Sequence, residues 1–168
     1  LGFALALGIA SMAILLLRHG ETALNAARVM QPADTALSER GRWQAEALAQ
    51  RLAPNADRPP GARRISAVLS SDLPRAWFTA LPIGQRCGVP VRASALLHER
   101  NFGDLRGQPY DTLGFDPLTM EGAPPGGESA AQFAARARQA FAEMLILHAQ
   151  CDGDLAVVTH GLLIRVLL

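Results

Sequence analysis

Cysteine is scarce in this sequence: Cys87 and Cys151 are the only two, and no Cys-x-x-Cys spacing occurs. That excludes a disulfide framework and a cysteine zinc site, and leaves two buried or idle thiols. An excess of charge is also missing, since 16 Lys and Arg stand against 15 Asp and Glu for a net +1. So nearly neutral a chain has no long-range field to draw nucleic acid or an anionic membrane, and any anion it binds must be met by a local cluster. No second histidine lies at helical spacing from His98, which argues against that residue as a metal ligand. Charged residues at 18% and apolar residues at 49% describe a compact fold, neither disordered nor fibrous. A length of 168 residues suffices for one domain with a real core and is short for two.

The long uncharged run, residues 1–17, reaches the lower limit of a membrane span. Glycines and alanines dilute it, and its last four residues are needed for a strand, so no membrane helix is expected. No basic residue precedes the apolar stretch, as a secretory leader would require, although residues 10–13 offer a small-residue cut. Met12 makes a natural start for a cytoplasmic protein. The expectation is an extension over residues 1–12 and one domain over 13–168, with a leader and periplasmic or secreted placement as the alternative.

Residues 14–17, Ile-Leu-Leu-Leu, break into Arg18-His19-Gly20-Glu21-Thr22. An unbroken branched apolar run reads as a strand buried on both faces of a parallel sheet, and ligands of such sheets bind at the strands' carboxyl ends. The pattern recurs. Residues 65–69 form an apolar run before Ser70-Ser71-Asp72, and residues 155–158 precede Thr159-His160-Gly161. Between these strands, Ser38 predicts the cap of a helix running through Arg51, and residues 54–61 read as a surface loop. Asp72 is predicted to cap a helix with Pro74 in its first turn, which puts Arg75 and free amides where an oxyanion would sit. That helix continues to about Arg86, and residues 89–91 predict a short edge strand.

Residues 25–35 read as a loop with one helical turn, carrying Asn25, Arg28 and Gln31 where they reach back over the site. Residues 94–127 form a second long loop, longer than an idle connection needs to be. Ser129 with Gln132 predicts a capping box, opening a helix whose stripe is Phe133, Ala137, Phe141, Met144 and the boundary residue His148.

Five blocks in order carry a resemblance: Arg18-His19-Gly20-Glu21-Thr22, Ser71-Asp72-Leu73-Pro74-Arg75-Ala76, Leu97-His98-Glu99 with Gly103 and Gly107, Pro125-Gly126-Gly127-Glu128-Ser129, and Thr159-His160-Gly161. Together they resemble the histidine phosphatase superfamily, with its phosphoglycerate mutase-like fold. The resemblance implies a three-layer α/β/α sandwich around a mostly parallel sheet and a metal-independent phosphomonoesterase of small phosphorylated metabolites. It implies catalytic roles for His19 as nucleophile, Glu99 as proton donor, and Arg18, Arg75 and His160 around the phosphate. Substrate contacts would come from Arg18, Glu21, Thr22, Asn25, Arg28, Arg75 and Gly161. No metal, cofactor, nucleic acid or membrane partner is expected.

Arg18 and Arg75 should hold His19 neutral and keep Glu99 ionised until a phosphate dianion arrives. Leu24 and Pro32 stand where many members carry an aromatic residue and a glycine, changes that touch the substrate-side loop. The chain stops soon after His160, and an exposed sheet edge or helix face there would favour a homodimer. The short stretch 107–124 favours a pocket open to water, hence hydrolysis over phosphoryl return. A phosphoglycerate mutase and a ribazole phosphatase are the alternatives within the family, and a non-catalytic phosphate-binding scaffold the alternative outside it.

Overall fold

The computed structural model describes residues 12–54 and 64–168. The expected extension, except Met12, and most of the expected loop at residues 54–61 lie outside the described residues. Four strands, β1 (Ile14–Arg18), β2 (Ile65–Ser70), β3 (Val91–Ala93) and β4 (Asp154–Thr159), form one sheet in the order β1-β4-β2-β3. Every pairing is parallel, so all four carboxyl ends lie on one side.

Helices α2 (Glu39–Leu52) and α3 (Pro74–Cys87) cover one face, and α4 (Ala130–His148) and α5 (Gly161–Leu167) the other. A short helix, α1 (Ala23–Ala26), follows β1. Alternation along the strands sends neighbours to opposite faces. Leu155 and Val157 join Phe133, Met144 and Leu163, whereas Ala156 and Val158 join Ala76, Ala80 and Ile83. This is the expected three-layer sandwich. No helix among the described residues is long and apolar enough to cross a membrane.

Several local expectations shift. Only β4 is buried along its whole length; β1 is half-buried because, among the described residues, it is an edge strand with β4 as its one neighbour. The third strand begins at Val91 instead of Val89, since Pro90 has no amide hydrogen for the ladder with β2. Ser38 and the Ser129–Gln132 box cap their helices as expected. Asp72 does not cap: Leu73 holds that position without a side-chain bond, Pro74 opens the helix, and the Asp72 carboxylate pairs with Nε2 of His98. On α4, Phe141 is exposed, and Ala140 and Leu147 complete the buried face with Phe133, Ala137 and Met144.

The turn after β1 is pressed against the start of α2. A Cβ on Gly20 would meet the Gly41 carbonyl oxygen at 2.5 Å, and one on Gly41 would meet the Glu21 oxygen at 2.0 Å. Both obstacles are backbone, so neither side can yield by a rotamer change. Gly41→Ala is expected to destabilise the protein by about 3 kcal/mol, measured by urea unfolding. A stability within a few tenths of a kcal/mol of the parent's would mean the two segments part freely.

Candidate active site

Three strand ends converge. β1 and β4 pair in register up to Arg18 and Thr159, the N–H of His19 donates to the Thr159 carbonyl at 3.0 Å, and the N–H of Ser71 donates to the Val158 carbonyl at 3.0 Å. Arg18-His19, Ser71 and His160 therefore emerge side by side although up to 142 positions separate them in sequence. α3 secures the turn: Thr79 Oγ1 accepts from Gly20 N–H at 3.0 Å and donates to the Arg75 carbonyl at 2.7 Å.

His19 is 7% exposed and its Nδ1 lies 2.7 Å from the Gly20 carbonyl oxygen. A carbonyl only accepts, so Nδ1 carries the hydrogen and Nε2 the lone pair. Burial, with Arg75 and Arg18 adding to it and the Gly20 bond opposing, lowers the His19 pKa to about 4. At neutral pH the ring is uncharged, with one nitrogen free to attack.

The His160 ring centre is 5.2 Å from that of His19 and its side chain is wholly buried, which, with Arg75 and His19 nearby, drives its pKa well below the usual value. Arg75 is 2% exposed; Nη1 donates to the Pro32 and Ala33 carbonyls at 3.1 and 3.4 Å, while Nε has no partner among the described residues. Desolvation lowers its pKa to about 10, with Glu99 opposing, so the guanidinium stays charged at neutral pH.

The Glu99 carboxyl is shifted in the direction opposite to the one the two arginines alone would produce. Its oxygens accept from the N–H groups of Arg100 and Leu162, each at 3.1 Å. Burial outweighs those bonds and the charges of Arg75 and Arg18, and raises its pKa. Desolvation acts on the whole charge, whereas the arginines act at a distance. The segment that presents Glu99 is gripped by Arg136 of α4, which donates to the carbonyls of Leu96, His98 and Glu99 at 2.9, 2.8 and 3.2 Å. Glu128 completes that clamp, holding the Arg136 Nε and Nη2 at 2.8 and 2.7 Å and the Asn101 N–H at 2.8 Å.

Arg18, His19, Asn25, Arg75, Glu99 and Gly161 line one cavity of about 460 Å³. Asn25 accepts the Thr22 N–H on Oδ1 at 3.2 Å, which leaves its amide hydrogens to donate. Of the four other expected residues, His160 is buried beside His19 and does not line that cavity, and three are turned elsewhere. The Glu21 carboxylate accepts from Ser38 Oγ at 3.0 Å and faces Arg40, while Thr22 is buried as the cap of α1 and donates to Gln31 Oε1 at 2.8 Å. Thr22 Oγ1 also accepts the Asn25 N–H at 3.0 Å, so both residues are taken up at helix starts. Arg28, with a positive φ of 55°, is paired with Asp111 at 3.6 Å and lines an adjoining cavity of about 510 Å³.

Arg106 and Tyr110 also line the cavity, and sequence reading singled out neither of them, nor Ser71 or Arg136. Ser71 alone had a local signal, its place at a strand end like those of His19 and His160. Among the described residues no cluster of His, Cys, Asp and Glu could hold a metal ion.

The profile of the histidine phosphatase superfamily (branch 1) matches residues 14–168. The chain belongs to that superfamily. This histidine phosphatase is 36% identical to glucosyl-3-phosphoglycerate phosphatase of Mycobacterium tuberculosis over 169 residues, 92% of this chain and 72% of that protein. A solved structure of mycobacterial glucosyl-3-phosphoglycerate phosphatase with VO3 superposes at a TM-score of 0.76 and 36% identity, covering 92% of this chain and 77% of that one. The metal-independent phosphoserine phosphatase of Arabidopsis thaliana is 37% identical over 166 residues, 90% of this chain and 65% of that protein. The probable phosphoglycerate mutase GpmB of Erwinia tasmaniensis is 36% identical over 164 residues, 92% and 72% of the two chains.

Proposed function

We propose that this histidine phosphatase is a phosphomonoesterase that hydrolyses small phosphorylated metabolites through a phosphohistidine on Nε2 of His19. The supporting observation is the Nδ1 bond to Gly20, which leaves Nε2 unprotonated in a cavity edged by two arginines. Nε2 attacks phosphorus as the bond to the leaving oxygen breaks, and the Glu99 carboxyl gives that oxygen its proton. Water then attacks phosphorus, Glu99 takes the water's proton, the P–N bond breaks, and His19 is restored. Arg18, Arg75, Asn25 and His160 donate to the equatorial oxygens throughout.

Arg18 is exposed to solvent at the cavity's edge, which supports water as the acceptor of the phosphoryl group. A mutase is the second reading, favoured by the name of the GpmB relative. Incubation with a generic aryl phosphate, acid-quenched for labile phosphate, tests the intermediate, and steady release of inorganic phosphate tests hydrolysis. Conversion between 3- and 2-phosphoglycerate without net phosphate release would select the mutase, and phosphate binding with no turnover the scaffold.

The leaving group has its own signature. Arg106 lines the same cavity, lies close enough to Arg75 to lower its pKa, and is paired with no carboxylate among the described residues. An unpaired guanidinium beyond the phosphate site suits a substrate with a second anionic group. Arg106→Gln is expected to lower, about tenfold, the ratio of kcat/KM for a carboxylated phosphoester to that for an uncharged one. An unchanged ratio across a panel of phosphorylated metabolites would remove Arg106 from recognition.

A further inference from the structure

His160 and Ser71 are both 0% exposed, and His160 Nε2 lies 2.9 Å from Ser71 Oγ. The other ring nitrogen, Nδ1, is buried with no partner among the described residues. Ser71 Oγ also accepts from the Leu73 N–H at 3.3 Å. The hydroxyl has one proton to give, and of these two partners only an imidazole nitrogen can take it. We infer that Ser71 is a positioning residue: by donating its hydroxyl proton to Nε2 it holds His160 in the tautomer that carries hydrogen on Nδ1.

The opposite tautomer is poorer by count. With hydrogen on Nε2, the Ser71 proton has no acceptor among these partners and Nδ1 becomes a bare lone pair, so two buried groups go unpaired. A lone pair is also the wrong group to offer an anion held beside His19, 5.2 Å away between ring centres. With hydrogen on Nδ1, one N–H is left over, and an N–H is what a phosphate oxygen needs. The hydroxyl is spare for this purpose because the Ser71 backbone is anchored independently: its N–H donates to Val158 at 3.0 Å and its carbonyl accepts from Ser70 Oγ at 2.8 Å. A substitution therefore removes the proton donor and leaves the strand end in place.

The chain has four histidines, so nitrogen-15 spectra of histidine-labelled protein can distinguish their tautomers, with the His160 signals assigned by their loss in His160→Gln. The expected wild-type result is a protonated Nδ1 and a bare Nε2 through neutral pH. Ser71→Ala should mix or reverse the two forms, and Ser71→Thr, which keeps the hydroxyl, should preserve the wild-type pattern. On the phosphatase reading, Ser71→Ala also lowers kcat/KM for an aryl phosphate and weakens inhibition by inorganic phosphate, each by about tenfold to a hundredfold, with most of both recovered in Ser71→Thr. Wild-type His160 with hydrogen on Nε2, or an unchanged tautomer in Ser71→Ala, overturns the inference. Absence of any turnover would sink the phosphatase reading while the spectra still decide on Ser71. Should either Ser71 variant fail to fold, the wild-type spectrum alone tests the assignment.

Discussion

His19→Gln is expected to lower turnover of an aryl phosphate by ~10,000-fold or more and to abolish acid-labile phosphate on the protein. Glutamine approximates the size and polarity of the imidazole but has no nitrogen lone pair able to form a P–N bond. Loss on this scale is expected because the nucleophile makes one hard displacement into two easier ones, and no neighbouring group can replace it. His160 is adjacent, yet its Nε2 is engaged with Ser71 and its ring is wholly buried. Phosphate should still bind, since Arg18, Arg75 and Asn25 remain in the cavity. The checks are single-turnover kinetics, acid-quench labelling and competition by inorganic phosphate. Residual labelling at wild-type stoichiometry in His19→Gln would place the intermediate on another residue.

Glu99→Gln is expected to slow hydrolysis of alkyl phosphates by about 100- to 1,000-fold and of aryl phosphates much less. An alkoxide needs a proton as it leaves, whereas an aryl oxide leaves without one. The pH profile separates proton donation from mere packing. His19 must be neutral, so activity rises as pH climbs past its pKa of about 4. Glu99 must be protonated at the start, and burial raises its pKa, so activity falls as pH passes that raised value. The wild-type optimum therefore lies between the His19 pKa and the raised Glu99 pKa, and the alkaline limb belongs to Glu99. Glutamine does not titrate, so Glu99→Gln should lose that limb while keeping the acidic one. Measuring both proteins on one substrate cancels the substrate's own ionisation. Equal losses for alkyl and aryl esters, with profiles of the same shape, would remove Glu99 as the donor.

Much of the site was legible because strand-end motifs are local. The apolar runs before Arg18-His19, Ser71 and Thr159-His160 mark buried parallel strands, and parallel strands place their ends together. Caps at Ser38 and Ser129 were legible for the same reason, each being an interaction within four residues. Roles that depend on orientation were not. Glu21 and Thr22 belong to the motif loop but turn toward α2 and α1, a choice made by contacts with Ser38 and Gln31. Asp72 had the composition of a cap, and the partner that claims it, His98, comes from a loop 26 positions away.

By itself, the sequence determined the layer architecture, the order of the strand-end motifs and the residue types that meet a phosphate, because hydrophobic periodicity and turn chemistry act over a few residues. Only the tertiary structure decided the charge states and the supports. How far the Glu99 pKa rises depends on how completely distant segments strip water from it. Which nitrogen of His19 and of His160 is free depends on one carbonyl and one hydroxyl brought within 3 Å by the fold. Desolvation and hydrogen-bond direction are properties of neighbours in space, and neighbours in space are what a linear chain does not display.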